Sequence, residues 1–179
     1  FNMGVRKEVY RKLGGFSKMR FGEDIDFSIR IFKEGYKCRL FPEAWVWHKR
    51  RTALTQFFRQ VHNSGIARIH LSLMHPESLK PVHYLPAAFT VGCTLLVLFA
   101  AVCRVMGVHG FPICNALWRL ALLPIFLFAL LVFVDATIRN RSLKFGFWAM
   151  DAAFVQLVGY GTGFIRAWWV RSVLHKGEF

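Results

Sequence analysis

Residues 84–103 read YLPAAFTVGCTLLVLFAAVC, twenty consecutive positions without a charged side chain. As an α-helix this stretch would be about 30 Å long, which matches the hydrocarbon thickness of a bilayer. Residues 117–134 have a similar character, with Arg119 at their edge. The two stretches predict two membrane-spanning helices.

A third apolar stretch, residues 147–165, is interrupted by polar and small residues: Asp151, Gln156, Gly159, Gly161 and Gly163. We expect it to span the membrane as well, packed on the other two helices through its glycines. The predicted membrane region then covers residues 84–165, and residues 166–179 form a basic tail.

The composition limits the class of protein further. Hydrophobic residues make up 55% of the 179 positions, which excludes a disordered chain. The net charge of +14 is compatible with nucleic-acid binding. However, the basic residues lie either at the ends of the apolar stretches or in a segment that also contains acids. Lipid headgroups or phosphate groups are therefore the expected partners, and no nucleic acid is expected.

Residues 1–75 show the alternating signals of an α/β domain. The apolar spacing and the glycine positions predict two helices followed by two strands, at residues 6–13, 23–34, 36–41 and 44–48. The fold class predicted for the whole chain is therefore α/β followed by a transmembrane helical region. Residues 76–83 contain Pro76 and Pro81 and form a linker between the two parts.

A longer helix is predicted to follow the second strand, capped by Thr52. Its apolar residues recur at helical spacing: Leu54, Phe58, Val61, Gly65 and Ile69. Such an amphipathic helix is typical of a membrane surface, but it is equally typical of a helix that covers a globular core. The sequence leaves both interpretations open.

The most distinctive polar feature is the run Glu23-Asp24-Ile25-Asp26, three carboxylates at the start of a predicted helix. Acidic residues favour a helix N-terminus, and Asp26 can form an i,i+4 ion pair with Arg30. On the motif alone, a structural role and a catalytic role are about equally favoured.

The order of the surrounding features resembles the second half of the catalytic domain of family 2 glycosyltransferases. The features that carry this resemblance are Asn2-Met3, Arg6, Gly14-Gly15-Phe16, Glu23-Asp24, Asp26-Phe27, Arg30, Gly35-Tyr36, Pro42-Glu43-Ala44 and His48. Residues 156–164 also resemble the membrane tail of bacterial members. The resemblance implies the GT-A fold and an inverting transfer from a nucleotide-sugar donor with a divalent metal, Mg²⁺ or Mn²⁺.

The resemblance also implies roles for individual residues. Asp24 is expected to be the general base on the acceptor hydroxyl, since a carboxylate within hydrogen-bond reach can take that proton. Glu23 belongs to the same catalytic pair and is expected to orient the loop rather than to react. Asp26 and Gly15 are expected on the substrate-binding side, and His48 is a candidate metal ligand.

Residues 56–60 resemble the Gln-x-x-Arg-Trp motif of processive polysaccharide synthases, with Gln60 in place of the Trp. Gln56, Arg59 and the neighbouring Arg51 are candidate substrate-binding residues, since arginines can stabilise the leaving diphosphate. A solvated helix face is the equally weighted alternative. The replacement at Gln60 argues against a processive enzyme.

These features predict a multi-pass glycosyltransferase of the bacterial inner membrane with its catalytic part in the cytoplasm. The expected partners are a nucleotide-sugar donor, a lipid-linked or glycan acceptor and the membrane. The chain is expected to be the C-terminal part of a longer enzyme for cell-envelope or exopolysaccharide synthesis, and to be inactive by itself. Two alternatives are a processive synthase with a polymer channel and a non-catalytic membrane adaptor with a degenerate transferase domain.

Overall fold

The structure, a computed structural model, describes residues 3–48 and 52–173. Six α-helices occur in this part of the chain: α1 Lys7–Lys12, α2 Glu23–Lys33, α3 Leu54–Met74, α4 Leu85–Val108, α5 Cys114–Asn140 and α6 Leu143–Ser172. Two short 3₁₀ turns, Pro76–Ser78 and Pro81–Tyr84, connect α3 to α4.

The predicted α/β fold, the C-terminal half of a GT-A domain, is wrong for the described residues, which contain no strand. Residues 36–41 and 44–48, the two predicted strands, are irregular segments on either side of a turn. A strand of this alternating pattern needs one buried face and a neighbouring strand for its backbone hydrogen bonds. Neither condition is met here: Leu40 is 86% exposed and Trp47 is 93% exposed.

The two predicted N-terminal helices are present, and an aromatic cluster holds them together. Phe27 of α2 is fully buried. Its ring centroid lies 5.6 Å from that of Tyr10 in α1 and 5.0 Å from that of Phe16 in the intervening loop. Aromatic pairs at such distances add to the area that they bury. The cluster therefore fixes the loop between α1 and α2.

The amphipathic helix is also present, as α3. The residue before its first turn is Ala53, so the predicted cap at Thr52 is wrong. The buried side of α3 packs mainly on α6, and the two helices share a core of Ile66, Ile69, Phe164 and Ala167. In the described residues, α3 thus covers another helix rather than a mixed α/β core.

Glycines bring α3 and α6 into backbone contact. A Cβ atom on Gly65 would meet the carbonyl oxygen of Tyr160, and one on Gly163 would meet the carbonyl oxygen of His62. Gly159 and Gly163 are four residues apart, the small-residue spacing that lets two helices approach closely. The sequence predicted a packing role for these glycines, but α3 is the partner of Gly159 and Gly163.

Within the described part of the chain, two helices are long and apolar enough to cross a membrane, Pro81–Val108 and Cys114–Asn140. They include the first two predicted spans. α6, which contains the third predicted span, does not reach the same hydropathy over the described residues. α5 continues through Pro124 without a break, as is common in helices that neighbouring helices support.

Successive parts of α6 contact different helices. Near its start, the ring of Phe147 lies 4.8 Å from that of Phe133 in α5. In its middle, α6 crosses the beginning of α4, where the Thr90 hydroxyl donates a 3.3 Å hydrogen bond to the carbonyl of Leu157. Its last part lies beside α3. α6 therefore connects the apolar helices to the N-terminal region.

Candidate active-site cleft

A cleft of about 660 Å³ opens between the start of α2 and the exposed side of α3. Its lining residues come from the loop before α2, the first turn of α2, the middle of α3 and one position of α6: Arg20, Phe21, Gly22, Glu23, Asp24, Ile25, Gln60, Asn63, Ser64, Ala67, Arg68, Leu71 and Tyr160. One wall is thus acidic, while the opposite wall carries amide and cationic groups.

Gly22 sets the distance between the two walls. It precedes the first turn of α2 with a φ of 83°, in the left-handed region that favours glycine. A Cβ atom at this position would lie 3.3 Å from both the Cβ of Ala67 and the Cδ1 of Leu71. The first turn of α2 consequently lies directly against α3.

Glu23 and Asp24, the predicted catalytic pair, both line the cleft. Asp24 is exposed, and its Oδ1 accepts a 2.9 Å hydrogen bond from the N–H of Ile25. The Ser28 hydroxyl donates to the carbonyl of Asp24 at 2.7 Å. These local bonds hold the first turn while the carboxylate remains open to a ligand in the cleft.

Asp26, predicted on the substrate-binding side, is fully buried and makes its contacts within the protein. Its Oδ2 accepts a 3.0 Å hydrogen bond from Nε of Arg30, and its Oδ1 lies 2.8 Å from Nε2 of His75. Burial alone would raise the pKa of the Asp26 carboxyl, but the hydrogen bonds from His75 and Arg30 and the positive charge of Arg30 outweigh it. The pKa of Asp26 lies below its ordinary value.

Gly15, the other residue predicted near substrate, is part of the same buried network. Nη2 of Arg30 donates a 2.7 Å hydrogen bond to the Gly15 carbonyl, and Nη1 donates a 2.6 Å bond to the carbonyl of Leu13. Gly15 has a φ of 73°, and a Cβ there would lie 2.7 Å from the hydroxyl of Tyr10. The structure therefore places Gly15 in the support of α2, outside the cleft lining.

The sequence did not single out His75, which follows α3 and joins it to α2. Nζ of Lys33 lies 3.0 Å from Nδ1 of His75, and an ammonium group can only donate in this contact. Nδ1 is then the acceptor, and the Nε2–H of a neutral imidazole donates to Asp26. No local sequence pattern indicates this contact, since 49 positions separate the two residues.

The remaining predicted site residues lie away from the cleft lining or outside the described residues. Gln56 and Arg59 are exposed in the first two turns of α3, while Gln60, which replaces the Trp of the synthase motif, lines the cleft. His48 is exposed at the end of the irregular segment. Arg51 lies outside the described residues.

The described residues do not provide a metal site by themselves. Divalent ions in proteins need several oxygen or nitrogen ligands at one point. Among residues 3–48 and 52–173, no three His, Cys, Asp or Glu side chains come together in this way. The pair Glu23 and Asp24 supplies at most part of such a site, and we assign no chemical step to a metal.

Comparison with known proteins decides the family. The model of the glycosyl transferase family group 2 matches residues 1–138, about three quarters of the chain. The chain belongs to this family. The resemblance inferred from the sequence motifs is thereby confirmed. Members of the family are transferases that bind a sugar donor and an acceptor, and they generally use a divalent metal.

Curated relatives agree with this assignment. Over 59 residues the chain is 32% identical to the probable glycosyltransferase YdaM of Bacillus subtilis strain 168, a match that covers 33% of this chain and 14% of that protein. Over 78 residues it is 32% identical to the pre-mycofactocin glycosyltransferase of Mycobacterium tuberculosis, covering 43% and 17%. The match thus spans less than a fifth of each relative's length. No solved structure matches the chain.

Proposed function

We propose that this family 2 glycosyltransferase chain carries the acceptor-side cleft of a membrane enzyme. The enzyme transfers a sugar from a nucleotide-sugar donor to a lipid-linked or glycan acceptor at the cytoplasmic face of the bacterial inner membrane. Its cellular role is cell-envelope or exopolysaccharide synthesis. The observation that carries the proposal is the position of Asp24, exposed in a cleft whose other wall, α3, packs on α6.

The proposed reaction is a single inverting displacement. Asp24 takes the proton of the acceptor hydroxyl as its oxygen forms a bond to the anomeric carbon of the donor sugar. The bond between that carbon and the donor phosphate breaks, and its electron pair leaves with the nucleoside diphosphate. Glu23 helps to orient the loop before α2, and the buried contacts of Asp26 hold the helix that presents both carboxylates.

The apolar helices α4 and α5 place this reaction beside the bilayer. An enzyme held at the membrane meets a lipid-borne acceptor at high effective concentration. Gln60 in the cleft supports one sugar addition per binding event rather than chain growth, because processive synthases have a Trp at the corresponding position of the motif. We therefore favour single transfer over a polymer channel.

Sugar transfer by membranes that contain the full-length enzyme tests the proposal, with radiolabelled nucleotide sugars as donors. We expect Asp24→Asn to lower turnover by about 100-fold or more, as is typical when a general base is lost. Glu23→Gln should have a milder effect. Asp135→Asn is the matched control, since Asp135 forms an exposed ion pair with Arg139 on α5. Retention of more than about a tenth of wild-type turnover by Asp24→Asn would show that Asp24 is not the base.

A further inference from the structure

Two polar atoms at the cleft make no well-formed hydrogen bond in the described part of the chain, although their side chains lie close enough for the charge of Arg68 to act on the phenol of Tyr160. They are Nε of Arg68, on α3, and the hydroxyl oxygen of Tyr160, on α6. Both atoms are covered from solvent, and both side chains line the cleft. Buried polar groups are nearly always paired in proteins, so a guanidinium nitrogen and a phenol that make no well-formed hydrogen bond at one cleft need an explanation.

The contact between α3 and α6 brings these two groups to the same cleft. Gly65 lies one helical turn before Arg68, and its backbone meets the carbonyl of Tyr160 itself. Tyr160 is further supported by Phe164, whose ring lies 6.3 Å away in a stacked arrangement. Both side chains thus extend from a rigid helix pair rather than from a loop.

The chemistry of the pair indicates the class of ligand. A guanidinium can donate through several N–H groups in a fixed fork, and a phenol adds one O–H donor. Such a set of donors suits the oxygens of a phosphate group. Asn63, one and a half turns before Arg68 on α3, also lines the cleft and offers a side-chain amide.

We propose that Arg68 and Tyr160 form a subsite for a phosphate group of a substrate. This inference rests on the proposed function, which supplies two sources of that group. One is the phosphate of a lipid-linked acceptor, and the other is the diphosphate that leaves with the nucleotide. In either case the bound phosphate lies in the same cleft as Asp24, and the site orients the substrate toward that carboxylate.

Binding to the purified protein in lipid nanodiscs tests the subsite, with farnesyl phosphate as the lipid phosphate and UDP as the nucleoside diphosphate. We expect Arg68→Met and Tyr160→Phe each to weaken the binding of at least one ligand by about tenfold or more, the size of a lost charge-assisted hydrogen bond. Arg139→Met is the matched control, because Arg139 is exposed and pairs with Asp135. Its binding should equal that of the wild type.

The two ligands distinguish the sources. A loss confined to farnesyl phosphate assigns the subsite to the acceptor, and a loss confined to UDP assigns it to the donor. Wild-type affinity of both variants for both ligands would overturn the proposal, as would failure of the wild type to bind either ligand.

Tyr160→Phe also guards against an effect through folding. The variant removes only a hydroxyl that makes no well-formed hydrogen bond among the described residues, so its melting temperature should differ little from that of the wild type. A lower melting temperature in the absence of ligand would show that the hydroxyl has a structural partner and would count against the subsite.

The transfer assay separates this inference from the function on which it rests. Asp24→Asn should keep the binding of both phosphate ligands while it loses transfer. If Arg68 controls phosphate binding but no nucleotide sugar supports transfer, the proposed function fails and the subsite stands. If Asp24 controls transfer but the Arg68 and Tyr160 variants bind both phosphates normally, only the subsite fails.

Discussion

Nε2 of His75 lies 2.8 Å from Oδ1 of Asp26, and this contact joins the end of α3 to the first turn of α2. Arg30 binds the other oxygen of the same carboxylate and reaches two carbonyls in the loop after α1. One buried carboxylate therefore connects three segments that surround the cleft. The exposed Asp24, two residues earlier, depends on this network for its position.

Loss of the buried charge should destabilise the N-terminal region. We expect Asp26→Asn to lower the free energy of unfolding by about 3 kcal/mol, because it leaves Arg30 without its charged partner. Lys12→Met is the control: it breaks the exposed ion pair between Lys12 and Glu34 and should change stability little. Thermal unfolding in detergent measures both variants, and equal stability of the two would contradict a central role for Asp26.

The same carboxylate predicts a dependence of stability on pH. The folded-state pKa of Asp26 lies below its unfolded value, so its contribution to stability is complete above the unfolded pKa of about 3.9. The contribution is lost as the pH falls through the folded-state pKa. As the pH is lowered below about 5, the melting temperature of the wild type should fall more steeply than that of Asp26→Asn. Parallel curves for the two proteins would rule out this origin of acid sensitivity.

Gly22 and Gly35 form a matched pair for testing the wall of the cleft. Both have positive φ angles, 83° and 77°, so an alanine at either position is strained by about 1–2 kcal/mol. Only at Gly22 would the added methyl also press on Ala67 and Leu71, whereas nothing lies within 4 Å at Gly35. We expect Gly22→Ala to lose more stability and, unlike Gly35→Ala, to reduce sugar transfer. Equal transfer by the two variants would show that this spacing does not matter for activity.

The contact of α3 with α6 can be tested by comparing how two Gly→Ala substitutions change stability, since they should act in opposite directions. Alanine in place of a helical glycine usually stabilises a protein by about 0.5–1 kcal/mol. Gly92→Ala on α4 should follow this rule, because nothing lies within 4 Å of the added methyl. Gly163→Ala should instead lower the melting temperature, because the methyl would meet the His62 carbonyl. Stabilisation by Gly163→Ala would contradict the close contact.

The contacts of α6 lead us to expect two membrane-spanning helices, with both ends of α6 on the cytoplasmic side. Its last part packs on α3 and on residues around the start of α4, including Leu79 and Tyr84. The distribution of basic residues near the helix ends agrees with this arrangement. With both ends of α6 in the cytoplasm, eight basic residues near helix ends lie on the cytoplasmic side: Arg68, Lys80, Arg139, Arg141, Lys144, Arg166, Arg171 and Lys176. Two basic residues, Arg104 and Arg119, lie on the opposite side.

Cysteine accessibility decides the topology. In a variant without the natural cysteines, Ser172→Cys should react with an impermeant maleimide only in inverted vesicles. Gly110→Cys, between α4 and α5, should react in intact spheroplasts and serves as the control for the opposite side. Labelling of Ser172→Cys in intact spheroplasts would instead show that α6 crosses the membrane.

Local sequence patterns were sufficient to predict most of the helices. Apolar runs and helical spacing depend on neighbouring residues, so they indicated α2, α3, α4 and α5 directly. The same information predicted strands at residues 36–41 and 44–48 that the structure does not contain. A strand is defined by a partner elsewhere, and alternation of side chains cannot show whether that partner is present.

The carboxylates at the start of α2 were also evident from the sequence, together with the family motif that names Asp24 as the candidate base. Their surroundings were not. The burial of Asp26 against His75, the position of Gly15 outside the cleft, and the meeting of Arg68 with Tyr160 all depend on contacts between distant segments. The sequence therefore determined the helices and the candidate base. Only the packing of α2 and α6 on α3 decided which side chains share the cleft, because burial and pairing depend on three-dimensional proximity rather than on spacing along the chain.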